Sequence, residues 1–294
     1  MKTLTVFTPT YNRAHTLIRT YQSLCRQTCK DFEWLIIDDG STDNTAEIVK
    51  LWITEADFRI RYIYKENGGL YTGYNTAYAN INTELNVCID SDDYMPDNAV
   101  ELIVNHWKKY GNNNYAGLIG LDFYHKTNTP IGGYFPTNLK EVYLLDLTTK
   151  KIHIGDTKQV LRTDLMKMVS PLVGFPGEKN LNPYAMLVQA CDNYPLLVTN
   201  KNLCFVEYQN NGMSVNIYQQ YFNSPRSFAL SRIIEMKLKR ATFKHKLKSS
   251  IHYVAECIIA KDCAWLTHTP LKTLTVLVSP FGVILYLFLI TKKK

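Results

Sequence analysis

The sequence lacks any Cys-x-x-Cys pair. Its seven cysteines, Cys25, Cys29, Cys88, Cys191, Cys204, Cys257 and Cys263, are odd in number and widely spread, which argues against a disulfide framework or a zinc site. The N-terminus has no long apolar stretch followed by a small-residue cleavage site and reads straight into a strand at Leu4, so the expected compartment is a reducing cytoplasm. Glycine and proline are sparse, at 14 and 11 of 294 residues, which excludes a collagenous or low-complexity chain. No internal repeat is visible. What is present is ordinary globular composition, 46% hydrophobic and 20% charged; at about 150 residues per domain the length gives one large core plus an appendage. The net charge of +7 is concentrated: residues 232–248 hold seven Lys/Arg against one Glu, Lys292, Lys293 and Lys294 follow, and everything else sums to −2. A nucleic-acid binder spreads its basic residues over the binding domain. Here the excess adjoins an apolar C-terminal run, so the expected partner is an anionic membrane surface, with no nucleic acid.

Short apolar runs at 4–8, 34–37, 60–64 and 87–89 alternate with helical spacings at Leu17, Tyr21, Leu24 and at Ala46, Val49, Ile53. Alternation of this kind predicts an α/β fold with a mostly parallel sheet and helices on both faces. Pro96 and Gly111 bracket a helix over 97–110, a strand follows over 116–121, Thr129-Pro130-Ile131-Gly132-Gly133 predicts a turn, and 141–146 a returning strand. The strict alternation stops near residue 95. The expected division is therefore 1–95 as a nucleotide-binding half, 96–214 as the second half of the same domain, 215–270 as a basic helical extension and 271–294 as an apolar tail.

In such sheets ligands sit beyond the carboxyl ends of the strands. Three clusters fall there: Thr8-Pro9-Thr10-Tyr11-Asn12-Arg13, Asp38-Asp39-Gly40-Ser41-Thr42-Asp43 and Asp90-Ser91-Asp92-Asp93. Tyr11 can stack on a nucleobase and Asp39 can accept from a base N–H. Asp90 and Asp92 can face a diphosphate through a divalent cation, which prefers hard oxygen ligands. Glu66-Asn67-Gly68-Gly69 ends the third run, where paired glycines let backbone approach a ligand. Trp34, at the start of a strand, reads as core. Singly each cluster also reads as turn and cap chemistry; together, their order and strand-end placement point to nucleotide binding.

The four motifs, with Ile36-Ile37 and Ile89 ahead of the acidic clusters, resemble the family 2 inverting glycosyltransferases of GT-A fold. The resemblance is specific over 3–100 and looser to about 215. It implies a nucleotide-sugar-binding half and an acceptor-binding half, with Pro9, Tyr11 and Asp39 holding a uridine-type base, Asp90 the ribose side and Asp92 an Mn or Mg cation at the diphosphate. The family often carries a basic residue soon after the Gly-Gly pair; this chain has Leu70-Tyr71-Thr72-Gly73-Tyr74. It also implies a carboxylate base on a helix start well after the Asp-x-Asp. Phe175-Pro176-Gly177-Glu178-Lys179 is the best local match, without the Glu-Asp pair of many members. Glu178 as base stands beside Glu178 as cap of a helix through Tyr184, Leu187 and Val188; Asp192 is the competing base, with Asp156 and Asp164 ranked lower. His153 and Gly155-Asp156 precede Val160-Leu161-Arg162, which has strand character, so they read as a site-facing loop or, for His153, as a surface histidine. Glu207-Tyr208 with Gly212-Met213-Ser214 resembles the border of an acceptor pocket.

Residues 273–291 are 19 uncharged residues, close to the roughly 20 that span a bilayer. Pro280 and Gly282 near the middle, and lysines on both flanks, predict a bent, half-inserted hairpin at the cytoplasmic face of the cell membrane; a buried C-terminal helix is the alternative. The reading as a whole is a metal-dependent glycosyltransferase moving a sugar from a nucleotide diphosphate donor, UDP-linked by resemblance, to a saccharide hydroxyl. A lipid-linked acceptor in cell-surface polysaccharide assembly would suit the tail. A nucleotidyltransferase and a non-catalytic, membrane-docked nucleotide-sugar binder remain open beside it, although Pro9-Thr10-Tyr11-Asn12-Arg13 has none of the glycines of a nucleotidyltransferase phosphate loop.

Overall fold

The computed structural model describes residues 2–208 and 217–293. Its first hundred residues alternate as the apolar runs predict: β1 (Leu4–Thr10), α1 (Ala14–Cys25), β2 (Phe32–Asp38), α2 (Thr45–Glu55), β3 (Arg59–Tyr64), α3 (Leu70–Asn80), β4 (Leu85–Cys88) and α4 (Ala99–Tyr110). Successive side chains of a strand face opposite ways, and both faces here are apolar. Leu4, Val6, Trp34 and Ile36 enter one core with Leu17, Val49, Trp52 and Ile103 of α1, α2 and α4. Phe7, Leu35 and Ile37 enter the other with Ala77 and Tyr78 of α3. Trp34 is fully buried and stacks beside Trp52, 6.0 Å between ring centroids, so it is core.

The chain continues through β5 (Gly117–Tyr124), β6 (Glu141–Val142), α5 (Leu144–Thr149), β7 (Thr157–Arg162), α6 (Thr163–Val169), α7 (Tyr184–Ala190) and β8 (Leu196–Val206). One eight-stranded sheet results, in the order β3-β2-β1-β4-β7-β5-β8-β6. Strands β3, β2, β1 and β4 are parallel, whereas β7 runs antiparallel between β4 and β5. Hydrogen bonding therefore passes from β4 to β7 across the expected boundary near residue 95, and both halves share one sheet. The strand expected over 141–146 is shorter: only Glu141 and Val142 pair with β8, and α5 begins at Leu144. Adjacent Leu144 and Leu145 are both buried, with Leu147 close behind. A strand would turn one of that adjacent pair to the other side of the sheet, and a helical turn does not. Because β7 is antiparallel, its first residues lie on the rim where β4, β5 and β8 end.

Beyond the body, α8 (Ile217–Asn223), α9 (Pro225–Lys237), α10 (Phe243–Ala260), α11 (Trp265–His268) and α12 (Lys272–Thr291) form the helical extension. Half-buried Arg232 ties α9 to α10 through Glu256 at 3.2 Å and reaches Glu235 at 3.1 Å. The apolar tail corrects the hairpin expectation, since α12 is one helix that continues through Pro280. Proline removes the N–H that would bond the carbonyl of Val276, and the Ser279 hydroxyl donates to that carbonyl instead, at 2.8 Å. Gly282 serves a helix crossing rather than a bend: a Cβ there would lie 2.5 Å from the Cβ of Val254 on α10. Thr275, Val278, Gly282 and Leu289 form the covered face, while Leu277, Phe281, Ile284 and Leu287 are exposed.

Candidate active site

The sheet rim opens into a cleft of about 900 Å³ whose wall includes Pro9, Tyr11, Arg13, Asp39, Asn67, Asp90 and Asp92. Residues from three separate strand ends therefore meet in one place, and local hydrogen bonds fix them there. Asn12, at φ 53°, accepts the Thr42 N–H through its side chain at 2.7 Å, and its own N–H donates to Ser41 Oγ at 2.9 Å. These bonds join the first cluster to the second. Asp38 is buried and accepts from Ser41 N and the Tyr62 hydroxyl, so of the acidic pair only Asp39 reaches the cleft wall. Asp39 accepts from Gly68 N at 3.0 Å, Gly69 N at 2.9 Å and Lys65 Nζ at 2.5 Å, and Asn67 donates to its carbonyl. The carboxylate thus shapes the Gly-Gly turn as well as lining the cleft. Gly69 stands at φ 90°, and a Cβ on it would meet the carbonyl oxygen of Lys179 at 2.2 Å.

That approach brings in a group the linear reading missed. No cation stands among the five residues after Gly69, yet Lys179 lines the cleft from the loop before α7, with Nζ donating to Asn67 Oδ1 at 2.6 Å. Arg13 supplies a second cation on the wall. Neither was legible as a partner of the turn, because Lys179 is a hundred residues away in sequence.

The acidic turn after β4 is held from beneath by α1. Thr20 Oγ1 donates to the Asp93 carbonyl at 2.7 Å and Arg19 to the Asp92 carbonyl at 3.1 Å, while Arg19 also pairs with Glu207 beyond β8. Asp90 is exposed and Asp92 half-buried. Burial, then the charge of Asp90, raises the Asp92 carboxyl above its ordinary value, as two anions sharing a rim should. Below them Asp93 and Asp122 are buried near Lys158, which stands 3.7 Å from Asp122. Burial drives both carboxyls up, Asp122 to about 6, against the opposing pull of Lys158. Among the described residues no group of three or more metal-ligating side chains is assembled. A divalent cation at Asp90 and Asp92 would complete its oxygen shell from a diphosphate and water, which suits a hard cation bound by one or two carboxylates.

The two carboxylates expected as base are placed differently. Glu178 does not line the cleft; its oxygens accept the N–H groups of Arg226 at 3.1 Å and Ser227 at 2.7 Å, the first free donors of α9. Asp192 likewise accepts from Lys239 N and Arg240 N in the turn after α9. Asp164 pairs with Arg162 away from the cleft. Asp156 does line it, as do Glu207 and Tyr208, whereas Gly212, Met213 and Ser214 lie outside the described residues. His153 is not on the open surface: it lines the cleft with the loop that carries Asp156, is 5% exposed and packs on Phe135 at 4.8 Å between centroids. Burial lowers its pKa below the usual histidine value.

Comparison with known proteins bears on this rim. Glycosyltransferase GlyA of Streptococcus pneumoniae is 36% identical over 132 residues, 45% of this chain and 18% of GlyA. Chondroitin synthase of Pasteurella multocida is 36% identical over 107 residues, 36% of this chain and 11% of that protein. The chain therefore matches less than a fifth of the length of either relative. Among solved structures, S. aureus TarS 1–349 in complex with UDP-GlcNAc aligns with TM-score 0.66 at 16% identity, covering 98% of this chain and 90% of that one. The mannosyltransferase PcManGT of Pyrobaculum calidifontis, in complex with GDP-Man and Mn2+, gives 0.57 at 14% identity over 99% and 88%. At such identities the likeness is one of fold, and the fold is GT-A. The family model described as Glycosyl transferase family 2 matches residues 5–167, a stretch that takes in all four strand-end motifs and more than half of the sequence, and the chain belongs to that family.

Proposed function

We propose that this protein transfers a sugar, with inversion, from a nucleotide diphosphate donor to a saccharide hydroxyl, with UDP as the nucleotide. The observation that carries the reading is the meeting of Pro9, Tyr11, Asp39 and Asn67 with Asp90 and Asp92 on one cleft wall. An exposed tyrosine and a carboxylate beside backbone N–H groups suit a base, and Asp90 suits the ribose. Asp92, with Asp90 adjacent, would hold Mn or Mg. When bound, that cation supplies charge for the leaving diphosphate. Arg13 and Lys179 flank the same volume and add positive charge where a second phosphate would lie. The relatives named chondroitin synthase and the TarS complex with UDP-GlcNAc support a UDP-sugar donor and polysaccharide assembly. The test is calorimetry with UDP and with GDP, each with and without Mn, followed by donor hydrolysis over a panel of UDP-GlcNAc, UDP-glucose, UDP-galactose and GDP-mannose. Metal-dependent UDP binding and turnover of one UDP-sugar are expected. Absence of nucleotide binding would remove the reading.

The lipid-linked acceptor and cytoplasmic-membrane location rest on α12. This helix is long and apolar enough to cross a membrane by length and composition, and its packing on α10 supports a position along the surface instead. Spanning would draw α10, with Lys244, Lys246 and Lys248, toward hydrocarbon, where a charge costs about 2.5–3.5 kcal/mol or more. Lying in the interface, α12 turns Leu277, Phe281, Ile284 and Leu287 to lipid and leaves the lysines with anionic headgroups.

A further inference from the structure

We propose that Asp156 is the general base of the transfer, held in place by Tyr208; the proposal rests on the glycosyltransferase reading above. A single displacement needs a carboxylate on the acceptor side of the cleft, with an oxygen left for the acceptor hydroxyl. Asp39 is committed to the Gly-Gly turn and Lys65. Asp90 and Asp92 belong to the diphosphate side, Asp93 and Asp122 are buried near Lys158, and Glu207 pairs with Arg19. Asp156 differs from all of them. It is exposed, lines the cleft, and accepts the Tyr208 hydroxyl on Oδ2 at 2.5 Å, while Oδ1 has no hydrogen bond among the described residues.

Its position follows from the topology. Asp156 immediately precedes β7, and β7 pairs antiparallel with β4, Val87 opposite Val160. From that pairing β4 runs on to the acidic turn and β7 runs back to Asp156, so both reach the same rim, with Asp156 on the side away from the nucleotide strands. Tyr208 comes from the end of β8, two strands further along the sheet. The charged and titratable groups facing Asp156 are His153 on its own loop, Lys158 on β7, Asp122 on β5 and Tyr208 after β8. His153 is no substitute, because its Nε2 is sealed from solvent and without a partner among the described residues. In the step itself the acceptor O–H proton passes to Asp156 Oδ1 as the acceptor oxygen bonds to the anomeric carbon. The bond from that carbon to the diphosphate oxygen breaks, and the nucleoside diphosphate leaves with the electron pair.

The test uses the full chain, Mn, and whichever of UDP-GlcNAc, UDP-glucose, UDP-galactose and GDP-mannose the wild type hydrolyses, with water as acceptor. Asp156→Asn should lower hydrolysis by roughly 100-fold or more, the scale of general base catalysis, while UDP–Mn affinity by calorimetry stays within about twofold. Azide needs no deprotonation, so azide should restore donor consumption in Asp156→Asn and give the inverted glycosyl azide; a merely structural role would not be rescued. Tyr208→Phe should lower kcat by about fivefold to tenfold with donor KM unchanged. Wild-type-like turnover in Asp156→Asn, or loss without azide rescue, overturns Asp156 as base while leaving the transferase reading intact. A wild type that binds no nucleotide removes both.

Discussion

Replacing Glu178 separates its two occupations, as base and as helix cap. The start of α9 has an unusual arrangement: Ser224 occupies the cap position without using its side chain as a cap, because that hydroxyl accepts from Asn180 N and Nδ2, each at 3.2 Å. Pro225 has no N–H to satisfy. The next two donors, Arg226 and Ser227, are satisfied by Glu178. Glu178→Ala removes both bonds and a negative charge at a helix N-terminus. The lost cap costs about 0.5–2 kcal/mol and the lost dipole contact about 0.3–1 kcal/mol, so a total of roughly 0.8–3 kcal/mol is expected. For a domain of this size 1 kcal/mol moves Tm by about 2–4 °C, which puts the loss at roughly 2–12 °C. Glu178→Gln retains one acceptor oxygen but turns an amide toward the other N–H, so it should show a smaller decrease. Both variants should hydrolyse donor at near the wild-type rate at a temperature well below the transition. Scanning fluorimetry and donor turnover on the same preparations check this. A Glu178→Gln enzyme that keeps its Tm and loses about 100-fold in turnover would refute the capping argument and restore Glu178 as base.

Three further outcomes follow from the geometry. Asp92→Ala should abolish Mn-dependent tightening of UDP binding in calorimetry and leave Tm within about 2 °C, since it removes a half-buried rim carboxylate whose carbonyl contact to Arg19 remains available. Leu277→Ser with Phe281→Ser should weaken sedimentation with vesicles of anionic phospholipid by about 100-fold or more, since each large apolar side chain contributes about 1.5–3 kcal/mol when buried, without changing UDP affinity; unchanged sedimentation would exclude the exposed face of α12 as the contact. Glu256 is fully buried beside Arg232, and burial holds its carboxyl at about 7. A folded value raised above the unfolded one gives stability that is complete below the unfolded value, near 4.5, and is lost as pH rises through about 7. The Tm of Glu256→Gln relative to wild type should therefore rise between pH 4.5 and 7.5, and a flat or falling difference would contradict the assignment.

The wall of the cleft that carries Pro9, Tyr11 and Asp39 was legible in the sequence because each of its parts is local. The runs at 4–8 and 34–37 set strands whose ends must carry Pro9, Tyr11 and Asp39 to one rim, and nothing distant is needed to aim them. The acceptor side is assembled otherwise. Its proposed carboxylate stands before β7 and its tyrosine after β8, and the carboxylate reaches the rim because β7 enters the sheet antiparallel beside β4. Apolar periodicity specifies that a segment is a strand, and it says nothing about which neighbour the strand takes or in which direction. Glu178 shows the same limit from the other side. Its place before a helix matched a base by pattern, but the helix it serves is α9, nearly fifty residues later, and that partnership exists only once Asn180 has taken the hydroxyl of Ser224. Pro280 and Gly282 were read as a hinge from their own backbone properties, yet the outcome was decided by Ser279, which satisfies the carbonyl that proline leaves free, and by Val254 of α10, which needs the space a glycine leaves. In each case the residue's contacts are set by a neighbour that only the tertiary fold supplies.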